Sequence, residues 1–237
     1  MKNIFLCFLL VSSVSAFCQE PTFNDKNAVT RNVPGFNAIR VSGSIEVYLS
    51  QGNTEAVAVS ASEEKFRDKL KTEVVNGTLK IYYDGDKFNF SSTNKKLKAY
   101  VSCKNIEALD VSGASDLRIA GTLKSDVLRI NLSGASELEG VLNASRLTIT
   151  ASGASDAKIS GEATSIDIEA SGASDVKGYE MKVDDCTAKA TGASDIHLTV
   201  NKQISAHASG ASSVSFMGEA VMKEIHTSGA SSVGKKS

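Results

Sequence analysis

The side chains best able to do chemistry recur at one spacing. Asp116, Glu137, Asp156, Asp175 and Asp195 each lie three residues after a glycine: Gly113, Gly134, Gly153, Gly172 and Gly192. Carboxylates are hard oxygen ligands, so a column of them is a candidate weak Ca²⁺ site. The Gly-Gly-x-Gly-x-Asp calcium repeat is absent, and a solvated polar ladder competes with that reading. Tyr82, Tyr83, Phe88 and Phe90 fall within nine residues around Asp84-Gly85-Asp86. Exposed, they would be a contact patch for a partner protein or glycan. Buried, they would cap a core. His197, His207 and His226 have no spacing that suggests a Ser-His-Asp set. Ser155-x-x-Lys158 and Ser174-x-x-Lys177 match the Ser-x-x-Lys pattern, but that motif needs a helix start and these segments read as strands. Cys103 and Cys186 sit among alternating apolar residues and read as small hydrophobes rather than a disulfide or metal pair. No catalytic set emerges and no cofactor is implied.

The elements that must position these residues come from a repeat. Ser-Gly-Ala-Ser, or Thr-Gly-Ala-Ser once, occurs around Gly113, Gly134, Gly153, Gly172, Gly192, Gly210 and Gly229, at intervals of 21, 19, 19, 20, 18 and 19. A period near 19 over seven copies means a solenoid. Before each glycine the apolar residues alternate, as in Leu128, Ile130, Leu132 and Leu147, Ile149, Ala151. After it they resume at Leu117, Leu138, Ala157, Val176, Ile196, Val214 and Val233, often with another two residues on (Ile119, Ile159, Leu198, Phe216). Period two on both sides gives two half-buried strands per coil, with the glycine at a tight corner and a looser return. Equivalent strands of stacked coils then pair in parallel. The expected fold is all-β, a right-handed parallel β-helix. Stacking also predicts columns on the outer face: Glu169 beside Lys189, His207 beside His226, and five acids whose repulsion must be offset.

Residues 105–233 carry the regular repeat, and 35–104 alternate without it. There Asn76-Gly77 signals a hairpin, Glu63 to Leu70 a short helix, and Ser42-Gly43-Ser44 a degenerate corner. This part reads as irregular coils that begin and cap the solenoid, within one domain at 35–237. Residues 19–34 read as a linker and Asp84–Lys96 as a loop. Residues 1–18 have the layout of a secretory signal peptide: Lys2, an apolar run from Ile4 to Val11, then small residues. Cys18 leaves a lipidated form open. No later stretch is long and apolar enough for a transmembrane helix. The 26 basic and 27 acidic residues of the 237 argue against a nucleic-acid partner. The 41% hydrophobic content is enough to fill a core.

The opening Phe36-Asn37-Ala38-Ile39-Arg40-Val41-Ser42-Gly43-Ser44-Ile45-Glu46-Val47, the segment Asn76-Gly77-Thr78-Leu79-Lys80-Ile81, and the Ser-Gly-Ala-Ser-Asp repeats resemble the autotransporter-adhesin family with a head GIN domain. The resemblance spans about residues 35–233. It implies a pectate-lyase-like β-helix and a role in adhesion, with no catalytic residues. The expected function is a non-enzymatic exported module that meets a surface protein or glycan, in the periplasm, at the outer membrane or outside the cell. The alternatives are a carbohydrate-active β-helix enzyme and a structural periplasmic module. The sequence leaves the oligomeric state open.

Overall fold

The computed structural model describes residues 25–85 and 95–236. The expected signal peptide, and Phe88 and Phe90, lie outside the described residues.

Alternation of apolar and polar residues produces strands almost throughout. The regular part consists of β8 (Ala108–Gly113), β9 (Asp116–Leu132), β10 (Glu137–Ala151), β11 (Asp156–Ala170), β12 (Asp175–Gly192), β13 (Asp195–Gly210), β14 (Ser213–Met217), β15 (Val221–Gly229) and β16 (Ser232–Lys235). Neighbouring coils pair in parallel and in the register of the repeat, for example Leu147↔Ile166 and Ile149↔Ile168 between β10 and β11. The fold is the expected parallel β-helix.

The coil differs from expectation on one arm. Each strand from β9 to β13 runs unbroken from one glycine corner to the next, so the return is paired as well. It buries further inward residues, Leu123 beside Leu142 in one column and Ala163, Val183 and Val200 in the column two residues along, each at most 9% exposed. One or two apolar residues per coil, at an offset that changes between coils, carry no steady period, so alternation does not reveal this arm.

The corner works through close backbone stacking. The carbonyl of each corner glycine accepts from the alanine N–H of the next coil, as in Ala154 N to Gly134 O at 2.7 Å. At Gly153, φ is +82° and an added Cβ would lie 2.6 Å from Gly134 O, so neither the backbone angle nor the space admits a side chain. The second serine of the corner turns inward. Ser115, Ser136, Ser155, Ser174, Ser194 and Ser212 are all buried. Each of the last five donates to the carbonyl three residues earlier, as Ser174 Oγ does to Ser171 O at 2.9 Å. Ser155 N in turn donates to Ser174 Oγ at 3.4 Å, linking adjacent coils. Burial of these hydroxyls is offset because they are bonded.

The N-terminal part is stacked out of sequence order. Strands β2 (Ala38–Gly43) and β3 (Glu46–Gln51) form a coil flanked on one side by β8 and β9, and on the other by β6 (Thr78–Tyr83) and β7 (Lys98–Cys103). Gly43 lies directly against Gly113, so Ser42-Gly43-Ser44 is a true corner of the stack. Antiparallel strands then close this end. β4 (Ala56–Ser60) pairs β7, and β5 (Leu70–Val75) pairs β6 through the Asn76-Gly77 turn. The helix α1 (Glu64–Arg67) joins β4 to β5 and buries Phe66. Within the span expected to be a linker, β1 (Val29–Arg31) adds antiparallel to β4. A run of only three residues, with one exposed between two half-buried ones, carries too little alternation to stand out.

Candidate functional site

The acidic column forms as the repeat requires. Asp116, Glu137, Asp156, Asp175 and Asp195 are successive register partners, and Glu46 extends the row beyond Asp116. Part of their repulsion is offset by neighbouring cations and a hydroxyl. Lys177 Nζ lies 3.6 Å from Asp156 and 3.4 Å from Asp175. Glu46 takes Lys98 at 3.2 Å and Arg118 at 3.9 Å. The Ser213 hydroxyl donates to Asp195 Oδ1 at 2.5 Å. Burial acts to raise the pKa of the Glu46 carboxyl, but the Tyr48 hydroxyl, the Lys98 ammonium and Arg118 outweigh it and hold it below the usual value of 4.5. Among the described residues, no group of three or more His, Cys, Asp or Glu converges as a metal-ligand set. The expected Glu169–Lys189 pair forms at 2.7 Å, and the His207 and His226 rings lie 6.1 Å apart.

The aromatic cluster is brought together only in part. Tyr83 packs against the core, with Lys95 Nζ 4.6 Å from its ring centroid. Tyr82, its neighbour on β6, is half-buried. Both border a concavity of about 1100 Å³ at the corner of the N-terminal coils. The Ser-x-x-Lys pairs are not nucleophile sites: Ser155 and Ser174 are sealed in the corner ladder. Cys103 and Cys186 are free and buried. Burial, the largest influence on each, pushes the Cys103 thiol up to about 11 and the Cys186 thiol up to about 12.

The feature that breaks the regularity lies elsewhere. One inward column reads Ile119, Gly140, Ile159, Gly178, Leu198, Phe216. A Cβ at Gly140 would meet Ile119 Cβ at 2.6 Å, and one at Gly178 would meet Leu198 Cδ2 at 2.9 Å and Ile159 Cγ1 at 3.1 Å. The glycines thus give up their place to larger neighbours, and the wall dents between them. Beside the dent the register of β12 slips against both neighbours: Ser160 pairs Glu180, and Lys182 pairs Thr199. Bulges of this kind re-aim a side chain, and here the slipped segment carries Tyr179. Its ring stacks on His197 at 5.0 Å, its hydroxyl is 3.1 Å from His197 Nδ1, and Lys236 Nζ is 4.6 Å from its centroid.

The result is an open groove of about 750 Å³ across the coils. Ile119, Gly140 and Ile159 make its floor, Tyr179 and His197 its end, and Arg118, Glu139, Lys158, Lys177 and Glu180 its rim. Lys158 is paired to Glu139 at 2.7 Å. Both charge signs border the groove, next to an apolar floor and the stacked Tyr179–His197 pair. Sequence reading missed this site. Its signals were the two glycines interrupting an apolar column and the interval of 20 between Gly172 and Gly192.

Comparison with solved structures bears on the fold. A "putative adhesin" from Bacteroides fragilis NCTC 9343 is similar with TM-score 0.79 and 20% identity, over 90% of this chain and 98% of that one. A "putative lipid binding protein" from Parabacteroides distasonis ATCC 8503 gives 0.67 and 18%, over 90% and 98%. A "putative adhesin" from Parabacteroides merdae ATCC 43184 gives 0.66 and 18%, over 89% and 95%. No curated protein matches the chain. The family model described as "Putative auto-transporter adhesin, head GIN domain" matches residues 35–220, and the chain belongs to that family.

Proposed function

We propose that the protein is a non-enzymatic, exported adhesion module whose side wall contacts a glycan or a polar protein surface. One observation carries the reading: a bulge sets Tyr179, stacked with His197, at the end of an open groove in the repeat wall. Tyrosine joins an apolar ring to a polar hydroxyl, which suits an open contact that is partly apolar and partly polar. The Ile119–Ile159 floor and the charged rim supply that combination across several coils. Family membership supports adhesion, and the family's adhesin neighbours share the fold. The lipid reading attached to one neighbour would favour an enclosed apolar cavity, whereas this groove is open and rimmed by charge. The enzyme alternative would need an acid and a base converging on one substrate atom; here Glu139, Asp156 and Asp175 are each paired with a lysine along the wall.

The test is to probe the purified protein against arrays of immobilised glycans and matrix proteins, and to incubate it with the same polysaccharides. Retention without cleavage is the expected result. Cleavage of any polysaccharide would overturn the non-enzymatic reading, and retention of nothing would leave the structural periplasmic module as the better account.

A further inference from the structure

The two ends of the rod are finished differently. At the N-terminal end Val57, Val59, Phe66 and Leu70 are buried beneath β1, β4, β5 and α1. At the other end the last described coil is bare. β15 is bonded to β13 on one side, and β16 to β14 on one side, and no described strand pairs their outer edges. Val221 and Met222, 59% and 52% exposed, are the two most exposed large apolar residues among those described. Ile225 and Val233 are half-covered beside them. This coil lies past residue 220, where the family match stops.

Free edges are usually guarded, and lysine is a common guard. Lys223 on β15 itself has Glu224 beside it, so the strand carries no net charge there, and the two lysines that follow are turned away. Lys235 Nζ reaches Glu219 at 3.4 Å, and Lys236 Nζ lies over Tyr179, back along the rod in β12.

We propose that this end docks onto the same end of a second copy of the chain, β15 against β15, antiparallel about a two-fold axis. The sequence of β15 is complementary to itself in that arrangement. With the axis between Lys223 and Glu224, Lys223 opposes Glu224 of the copy, and Met222 opposes Ile225. The faces agree as well. The register slip between Ile204 and Ala206 places both Met222 and Ile225 in inward columns, opposite Ile204 and Ala206. Opposed residues of an antiparallel pair share a face, so the apolar pairs meet over the core and the charged pairs meet beside them. A two-fold contact uses one patch twice and closes after two copies. At the N-terminal end the described strands bonded on one side only, β1 and β5, differ in sequence from β15 and are laid over buried Val57, Val59 and Leu70.

The test is the mass of the purified protein by sedimentation velocity across a concentration series. A reversible monomer–dimer equilibrium is expected. Met222→Lys should shift it to monomer, with far-ultraviolet circular dichroism and melting temperature unchanged, because the side chain is already exposed. Lys223→Glu and Glu224→Lys should each weaken the dimer at least tenfold, and mixing the two variants should restore it. Monomer at every concentration would overturn the proposal. So would open-ended polymers, or a dimer that Met222→Lys and the charge changes leave intact.

Discussion

A corner glycine shows how much one position can demand. Gly153 has a left-handed backbone and an added Cβ there would meet Gly134 O at 2.6 Å, whereas Gly121, at φ +78°, has nothing within 4 Å of an added Cβ. Gly121→Ala should therefore cost only the backbone penalty, about 1–2 kcal/mol. Gly153→Ala adds a clash with fixed backbone and should cost clearly more. Thermal melts of the two variants make the comparison; equal losses would contradict the stacked-corner geometry. The cysteines give a second check at this scale. Their pKa values, raised to about 11 and about 12, leave almost no thiolate at pH 8. Neither should react with an alkylating reagent in the native state, and both should react in denaturant. Fast labelling of the folded protein would show that the core is open. The glycines and cysteines were readable in the sequence because spacing alone places them. The inward turn of Ser155 and Ser174 was not: a serine beside a glycine has the same composition whether its hydroxyl faces water or a buried carbonyl.

Among elements, the ladders between strands decide where charge matters. The Glu46 carboxyl on β3 is held below 4.5 chiefly against its own burial, by Tyr48, Lys98 and Arg118. A lowered pKa in the folded state means that the stabilisation is complete above 4.5 and is lost as the pH falls through the folded value. Urea midpoints measured down a pH series should drop below pH 4.5 in the wild type, and Glu46→Gln should lack that part of the slope. Identical slopes would remove Glu46 from the acid response. The parallel strands, the hairpin at Asn76-Gly77 and the short helix follow from local pattern, and the sequence shows them. The out-of-order stacking of β2 and β3 between β6–β7 and β8–β9 does not, because alternation fixes which face of a strand is buried but not which strand lies beside it. The Tyr179 bulge was half legible: an interval of 20 announces an extra residue in that coil, but only the register shows which side chain it turns outward.

For the whole molecule, a stack of near-identical coils has little means of building a deep pocket, because each wall repeats every 19 residues or so. Function then falls to places where the repetition fails. Among the described residues these include the dented wall with Tyr179 and the exposed edge at β15. The first carries the proposed contact with a partner. The most direct measurement is the retention of Tyr179→Ala on the glycan and matrix array, beside wild type and a His207→Ala control on the outer face of β13. The proposed contact predicts a loss of at least tenfold in apparent affinity for Tyr179→Ala and none for His207→Ala, with both variants melting like wild type. Wild-type retention by folded Tyr179→Ala would contradict it and place the working surface elsewhere on the rod.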